Sequence, residues 1–264
     1  MAELDHPFSL IGFGGFKIGR DQDFKYPTPY DLPDDASADR LLNGLLDLGI
    51  NYIDTAPAYG SSEQRIGRAI GHRRREFLLS TKVGERWEHG RSIYDFSERA
   101  VRASIERSRN RLQVDTLDLV FVHANQDDRH VVQQTDVVPV LRALRDEGVV
   151  SAIGLSAYHE PAYRAALDWC DAIMVEYHLR DRSLEPIMTE ARRSGIAVIV
   201  KKPLASGTLT PKEAFPFVLN QVAVSSIVVG SLSLDHLGEN LRIARTIVDR
   251  RAQAAGQRSS AAKA

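Results

Sequence analysis

Leu117-Asp118-Leu119-Val120-Phe121-Val122 is apolar at five of its six positions. A second run, Val150-Ser151-Ala152-Ile153-Gly154-Leu155, follows after an amphipathic stretch near 136–147. Runs with no alternation between apolar and polar residues are strands covered on both faces, as in a parallel sheet. Parallel neighbours need a crossover between them, usually a helix. Working outward, further runs lie near 9–14, 51–54 and 77–82 on one side and near 171–177, 196–200 and 224–229 on the other. Helical patterns near 37–49, 61–72, 97–112, 159–169, 183–194, 211–220 and 234–250 complete the alternation, several opened by Ser, Thr or Asp where a helix N-cap belongs. Eight strands, each followed by a helix, predict a closed (β/α)8 TIM barrel of the α/β class, which takes about 250 residues as one domain. An open doubly wound sheet would carry Gly-x-Gly-x-x-Gly after its first strand. Gly12-Phe13-Gly14-Gly15 lacks the third glycine at that spacing, so it reads as a tight turn at a strand end.

The composition sets the remaining bounds. Hydrophobic residues make up 43% of the 264 and charged residues 26%, which is ordinary for a chain that buries a large core. The formal charge of −1 provides no overall attraction to nucleic acid or to an anionic membrane surface. Cys170, the single cysteine, cannot form an internal disulfide and reads as the buried end of a helix. Met1-Ala2-Glu3-Leu4-Asp5-His6 has no basic segment followed by an apolar run, and no run of about 18 apolar residues occurs, so a cytoplasmic location is expected. The catalytic domain is expected over 1–250, with 251–264 a disordered tail. The long polar loop 17–36, holding Tyr26, Pro27, Pro29, Tyr30 and Pro33, is expected to form a lid or rim over the barrel mouth.

In such a barrel the active face lies at the C-terminal ends of the strands. Asp54 closes one run, Tyr59 follows five residues later, Lys82 closes the next run, and His123 closes 117–122. An acid, a phenol, an ammonium and an imidazole would therefore meet at one mouth. Singly, each has a plain structural reading: a cap, a core aromatic, a solvated lysine, a histidine bonded to backbone. Together they suit carbonyl reduction, because a phenol with an ordinary pKa of about 10 needs a neighbouring cation to exchange a proton near neutral pH. Lys82 is expected to be that cation, Asp54 to hold Lys82, and His123 to orient the carbonyl oxygen. Metal chemistry is not expected: His123 through His130 has no convincing ligand spacing and reads as a polar loop.

Gly49-Ile50-Asn51-Tyr52-Ile53-Asp54-Thr55-Ala56-Pro57-Ala58-Tyr59-Gly60, with Ser62-Glu63 and Ile66-Gly67 behind it, resembles the signature of the aldo-keto reductases. Thr81-Lys82-Val83, Asp118 to His123, Ala152 to Ser156, Val175 to Leu179, Pro203 to Gly207 and Leu237 to Asn240 resemble that family's later blocks in order. The resemblance runs from about Gly12 to about Ala244. It implies a nicotinamide dinucleotide, NADP(H) or possibly NAD(H), extended across the mouth and passing hydride to a small aldehyde or ketone, or taking it from the alcohol. It implies catalytic roles for Asp54, Tyr59, Lys82 and His123. It assigns cofactor contacts to Gly15, Ser156, Lys201, Leu204, Ser206, Gly230, Ser231, Leu232, His236, Glu239 and Asn240, and substrate contacts to Phe16 and Trp87.

Several matched positions depart from the family pattern. Lys201 stands where the family stacks an aromatic on the nicotinamide, Ala157 where it has an Asn, and Met174 where it has a Gln. Gly230 replaces a lysine, and His236 replaces the arginine for the 2′-phosphate, a weaker and pH-dependent partner. Two other readings compete with the reductase: a dinucleotide-binding regulatory or scaffolding barrel with little turnover, and a barrel in which Lys82 or Lys201 forms a Schiff base with a carbonyl.

Overall fold

The computed structural model describes residues 8–23 and 26–261. Within it the strands are β1 (Ile11–Gly14), β2 (Tyr52–Asp54), β3 (Leu78–Val83), β4 (Glu85–Glu88), β5 (Arg91–Tyr94), β6 (Leu117–His123), β7 (Val150–Ser156), β8 (Ala172–Glu176), β9 (Ala197–Lys201) and β10 (Val224–Val229). The helices are α1 (Asp35–Asp47), α2 (Ser62–Ile70), α3 (Glu98–Leu112), α4 (Asp128–Gln134), α5 (Val137–Asp146), α6 (Glu160–Ala166), α7 (Glu185–Arg193), α8 (Pro211–Asn220) and α9 (Leu234–Ala261). All strands except β4 and β5 pair in parallel around a closed barrel in the order β1-β2-β3-β6-β7-β8-β9-β10. All eight apolar runs are strands, as the sequence pattern predicts.

Alternate residues divide the core into two layers. Tyr52, Leu78, Leu119, Phe121, Met174 and Ile199 belong to one buried cluster inside the barrel, whereas Ile53, Leu79, Val120, Val122 and Val200 join the larger layer beneath the helices. Period-2 alternation thus gives a strand two apolar faces. The helices follow their own period. In α1, Ala38, Leu41, Leu42 and Leu45 are buried at i, i+3, i+4 and i+7, and Asp34 caps the helix by accepting a 2.7 Å bond from the Ser37 N–H. Each leucine buried in this way contributes roughly 1.5–3 kcal/mol. α8 opens with a capping box between Thr210 and Glu213, with Pro211 in its first turn.

Register determines which side chains share the mouth. Gly14 pairs with Asp54, Asp54 with Ser80, His123 with Ser156, Ser156 with Met174, and Glu176 with Lys201. Gly14, Asp54, His123, Ser156, Glu176 and Lys201 are the last residues of their strands, so they lie around one rim.

Three elements differ from the sequence reading. Residues 85–94 form an antiparallel hairpin, β4–β5, turning on His89 and Gly90, both at positive φ (51° and 75°). A two-residue loop of this handedness matches the twist of its strands. The polar segment after His123 contains a short helix, α4, because Asp128 is buried and accepts bonds from the Tyr158 and His159 N–H groups at 2.8 Å each. The last helix does not stop at 250 but continues to Ala261 through the stretch expected to be disordered; Ala, Gln and Arg are strong helix formers, and adding a turn to an existing helix costs little. Met1 to His6, on which the expected location rests, and residues 262–264 of the tail lie outside the described residues. No described helix is long and apolar enough to cross a membrane. Cys170 is buried just beyond α6, and burial raises its thiol to about 12.

Candidate active site

The rim encloses a cleft of about 400 Å³ that includes Asp54, Tyr59, Lys82 and His123 among its lining residues. Each reaches it from a different element. Asp54 ends β2, Lys82 projects from β3, and His123 ends β6. Tyr59 lies in the turn before α2, where its N–H bonds the Ala56 carbonyl at 2.9 Å.

Lys82 is buried, and its Nζ donates to both carboxylate oxygens of Asp54 at 2.7 Å and to the Thr55 carbonyl at 2.9 Å. Ser80 Oγ donates to Asp54 Oδ1 at 2.7 Å, with the Tyr52 hydroxyl 2.9 Å behind it. Burial pulls the Lys82 ammonium below its ordinary pKa while Asp54 opposes that pull. The ammonium lies 4.8 Å from the centre of the Tyr59 ring, and the His123 ring meets the same phenol edge-on at 6.3 Å between centroids.

Burial raises the Tyr59 phenol well above its ordinary pKa, and Asp54 and Glu85 add to the rise. Tyr59 therefore holds its proton at neutral pH.

His123 Nδ1 lies 2.7 Å from Glu85 Oε2, a close contact poorly aligned for a hydrogen bond. Burial lowers the His123 pKa against the pull of Glu85, and Lys82 and Lys201 lower it further, which favours the neutral imidazole. Burial alone would raise Glu85, but His123, Ser92 and Arg20 hold its carboxyl at about 2.

The sequence reading missed Glu85 and Arg20. Arg20 is buried, donates to the carbonyls of Gln22 (2.9 Å) and Ala58 (3.1 Å), and places its guanidinium 3.3 Å over the Trp87 ring. It thus ties the loop after β1, the turn bearing Tyr59 and the β4–β5 hairpin together. The only signal available was the length of the segment between β3 and α3.

Of the residues implied by the resemblance, Phe16, Ser156, Lys201, Leu204, Ser206 and Gly230 line the same cleft as the four. Phe16 packs edge-on against Tyr59 at 5.3 Å. The other implied residues are not among its lining residues. Gly15 is buried behind the cleft, where a Cβ would sit 2.5 Å from Ser62 Oγ; it serves close packing of the turn after β1 against α2. Trp87 lies beneath Arg20, a support for the rim. Ser231, Leu232 and His236 lead into and begin α9, with His236 exposed. Asn240 is buried, and Glu239 faces a shallow groove between α1 and α9 with Leu48 and Arg242.

The loop after β1 crosses the mouth as expected of a rim. The Tyr26 hydroxyl lies 3.3 Å from where a Cβ on Gly230 would stand, and Pro27 lies 3.7 Å from the corresponding point on Gly207. Opposite it, Lys202, Ala205, Ser206 and Gly207 all have positive φ. Left-handed backbone at three non-glycine residues costs of order 1 kcal/mol or more each, and such strain concentrates where backbone meets a ligand. Part of this strip lines the cleft together with Gly230, from which residues 231–233 lead to the start of α9. Backbone N–H groups and a helix N-terminus there suit the phosphates of a dinucleotide. Among the described residues no three His, Cys, Asp or Glu side chains are grouped to hold a metal.

Residues 10–217 match the model of the aldo/keto reductase family. The chain is 31% identical to D-threo-aldose 1-dehydrogenase of Pseudomonas sp, over 77% of this chain and 68% of that one. It is 32% identical to the NADH-specific methylglyoxal reductase of Escherichia coli, over 61% of this chain and about half of the relative (55%). A solved structure from Pseudomonas aeruginosa assigned to the aldo-keto reductases superposes with a TM-score of 0.84 at 37% identity, covering 91% of both chains. The chain belongs to the aldo-keto reductase family and is an oxidoreductase that uses a nicotinamide dinucleotide to interconvert carbonyl and alcohol groups.

Proposed function

We propose that Tyr59 gives the proton to the carbonyl oxygen, with His123 orienting that oxygen and the Lys82–Asp54 pair governing the charge around the phenol. The observation that carries this reading is the grouping of phenol, ammonium and imidazole on one cleft, with the ammonium 4.8 Å from the ring centre. When bound, a dinucleotide would supply the hydride. As the carbonyl carbon accepts it, the oxygen gains charge and takes the Tyr59 proton. The alcohol leaves, and the tyrosinate, stabilised by the nearby Lys82 ammonium, regains a proton from solvent.

Burial keeps the Tyr59 phenol protonated at neutral pH, so it carries its proton when a carbonyl arrives. The lowered pKa of His123 favours a neutral ring, which donates a hydrogen bond without competing as an acid. Leu204, Ser206, Gly207 and Gly230, which line the cleft, would hold the cofactor. NADP(H) is the expected dinucleotide, with modest preference over NAD(H): His236 sits in the first turn of α9, its N–H 3.3 Å from Ser233 Oγ, and offers a weaker 2′-phosphate partner than an arginine. Substrates are small aldehydes or ketones, or the corresponding alcohols. A regulatory barrel without turnover gains no support from a site whose phenol, imidazole and ammonium stand together.

The test is a titration of the protein with NADPH and NADH by nicotinamide fluorescence, followed by the change in nicotinamide absorbance with a panel of aldehydes. Binding with turnover is expected; binding without turnover of any aldehyde would favour the regulatory barrel.

A further inference from the structure

Five basic side chains, Lys17, Arg20, Lys82, Lys201 and Lys202, line the cleft. Three of them have carboxylate partners: Arg20 has Asp23, Lys82 has Asp54, and Lys202 has Glu176. Lys17 rests its ammonium on the faces of Tyr26 and Tyr30. Lys201 is half-buried, and its Nζ donates to Ser156 Oγ at 3.0 Å and to the Ala157 carbonyl at 3.1 Å, 5.4 Å from the centre of the Tyr158 ring. These partners are neutral. Among the described residues no carboxylate forms an ion pair with Lys201, so its charge is not offset by direct contact.

The path of this side chain connects two parts of the cleft. Lys201 ends β9 and stands directly before the strip of left-handed backbone that begins at Lys202, while its amine bonds Ser156, the register partner of His123. On the reading given above, the carbonyl oxygen lies at Tyr59 and His123, and the phosphates of the dinucleotide meet the Leu204–Gly207 backbone and Gly230. The nicotinamide has to reach the carbonyl carbon at one end and continue to those phosphates at the other. The Lys201 side chain spans that interval. The oxidised nicotinamide ring carries a positive charge and the reduced ring carries none, and like charges in one cleft oppose each other.

On the reading of this cleft as the dinucleotide site, we infer that Lys201 discriminates between the redox forms of the cofactor, its ammonium opposing the charged oxidised ring and tolerating the neutral reduced one. The preference has a defined pH dependence. The titratable groups facing the amine are Lys202 on its own strand, Glu176 on β8, Lys82 on β3, Asp54 on β2, His123 on β6 and Tyr158 after β7. Burial, Lys202 and Lys82 lower the amine against the pull of Glu176 and Asp54, and it falls to about 7. A second positive charge lowers it further, by about one to two units for a charge held nearby. Below about pH 7 oxidised cofactor therefore binds with release of up to one proton from Nζ, and its affinity falls as pH falls. Above about pH 8 the amine is uncharged and this preference disappears. Phosphate contacts are common to both forms and cancel in the ratio of their dissociation constants.

The experiment measures dissociation constants of the full chain for NADPH, by nicotinamide fluorescence, and for NADP⁺, by competition against NADPH, at pH 6 and pH 8.5. The ratio of the NADP⁺ constant to the NADPH constant is expected to be about tenfold or more higher at pH 6. Lys201→Met, which keeps the length and removes the charge, should hold the ratio at its native pH 8.5 value at both pH values. Lys201→Arg, permanently charged, should keep the high ratio at both, which gives an answer even if the methionine variant folds poorly. A native ratio that does not change with pH would overturn the inference. So would a pH dependence that survives in Lys201→Met, which would assign it to His123. Equal weakening of both forms in Lys201→Met with an unmoved ratio would also overturn it, placing the amine on a phosphate. Failure of the native chain to bind either form would contradict the placement of the dinucleotide in this cleft, and the inference with it.

Discussion

Replacing Lys82 by Met removes three hydrogen bonds at once, two to Asp54 and one to the Thr55 carbonyl, and leaves Asp54 a buried carboxylate with Ser80 Oγ as its remaining side-chain donor. Breaking a buried pair from one side typically costs about 3–5 kcal/mol, because the surviving charge is uncompensated. Asp54→Leu should cost a similar amount by stranding the ammonium. The double variant strands neither charge, leaving only the Ser80 hydroxyl and the Thr55 carbonyl to find partners, at about 1–3 kcal/mol for each that does not. The double variant should therefore lose well under the sum of the singles, with a coupling energy of about 3 kcal/mol or more. Urea denaturation of the four proteins measures this directly. Additive losses within about 0.5 kcal/mol would refute the description of Lys82 and Asp54 as one unit.

Other perturbations address separate parts of the site. Trp87→Ala should loosen the Arg20 bridge and raise KM more than it lowers kcat in steady-state kinetics, since Trp87 supports the rim without lining the cleft. His236→Arg should tighten NADPH relative to NADH by about tenfold in fluorescence titrations, as expected for one added permanent charge-assisted contact. Glu85, held at about 2 when folded against an ordinary 4.5, contributes stability that is present above about pH 4.5 and lost as pH falls toward 2; Glu85→Gln should flatten that limb of a pH–stability curve.

The contrast between what the sequence revealed and what it concealed has a physical basis. Strands buried on both faces leave uninterrupted apolar runs, so 117–122 and 150–155 were visible, as were Asp54, Lys82 and His123 at the ends of theirs. The β4–β5 hairpin is short and largely polar on its outer face, so Glu85 to Tyr94 carries little apolar signal. Arg20 and Glu85 were hidden for another reason. Their roles depend on meeting Trp87, Ala58 and His123 across the mouth, and those meetings follow from loop paths and not from local pattern. The same holds on α9, where a turn of helix face separates buried Asn240 from exposed Glu239. The rise in the Tyr59 pKa could not be read from neighbouring residue types either, because its largest cause is burial, which follows from the packing of the whole rim.

The central claim is that the Tyr59 hydroxyl supplies the proton, and Tyr59→Phe tests it by deleting that hydroxyl while keeping the ring that packs on Phe16 and faces His123. Turnover of a reducible aldehyde should fall by roughly 10²–10⁴, with dinucleotide affinity and melting temperature close to those of the native chain. Turnover within a few-fold of native in that variant would contradict the account.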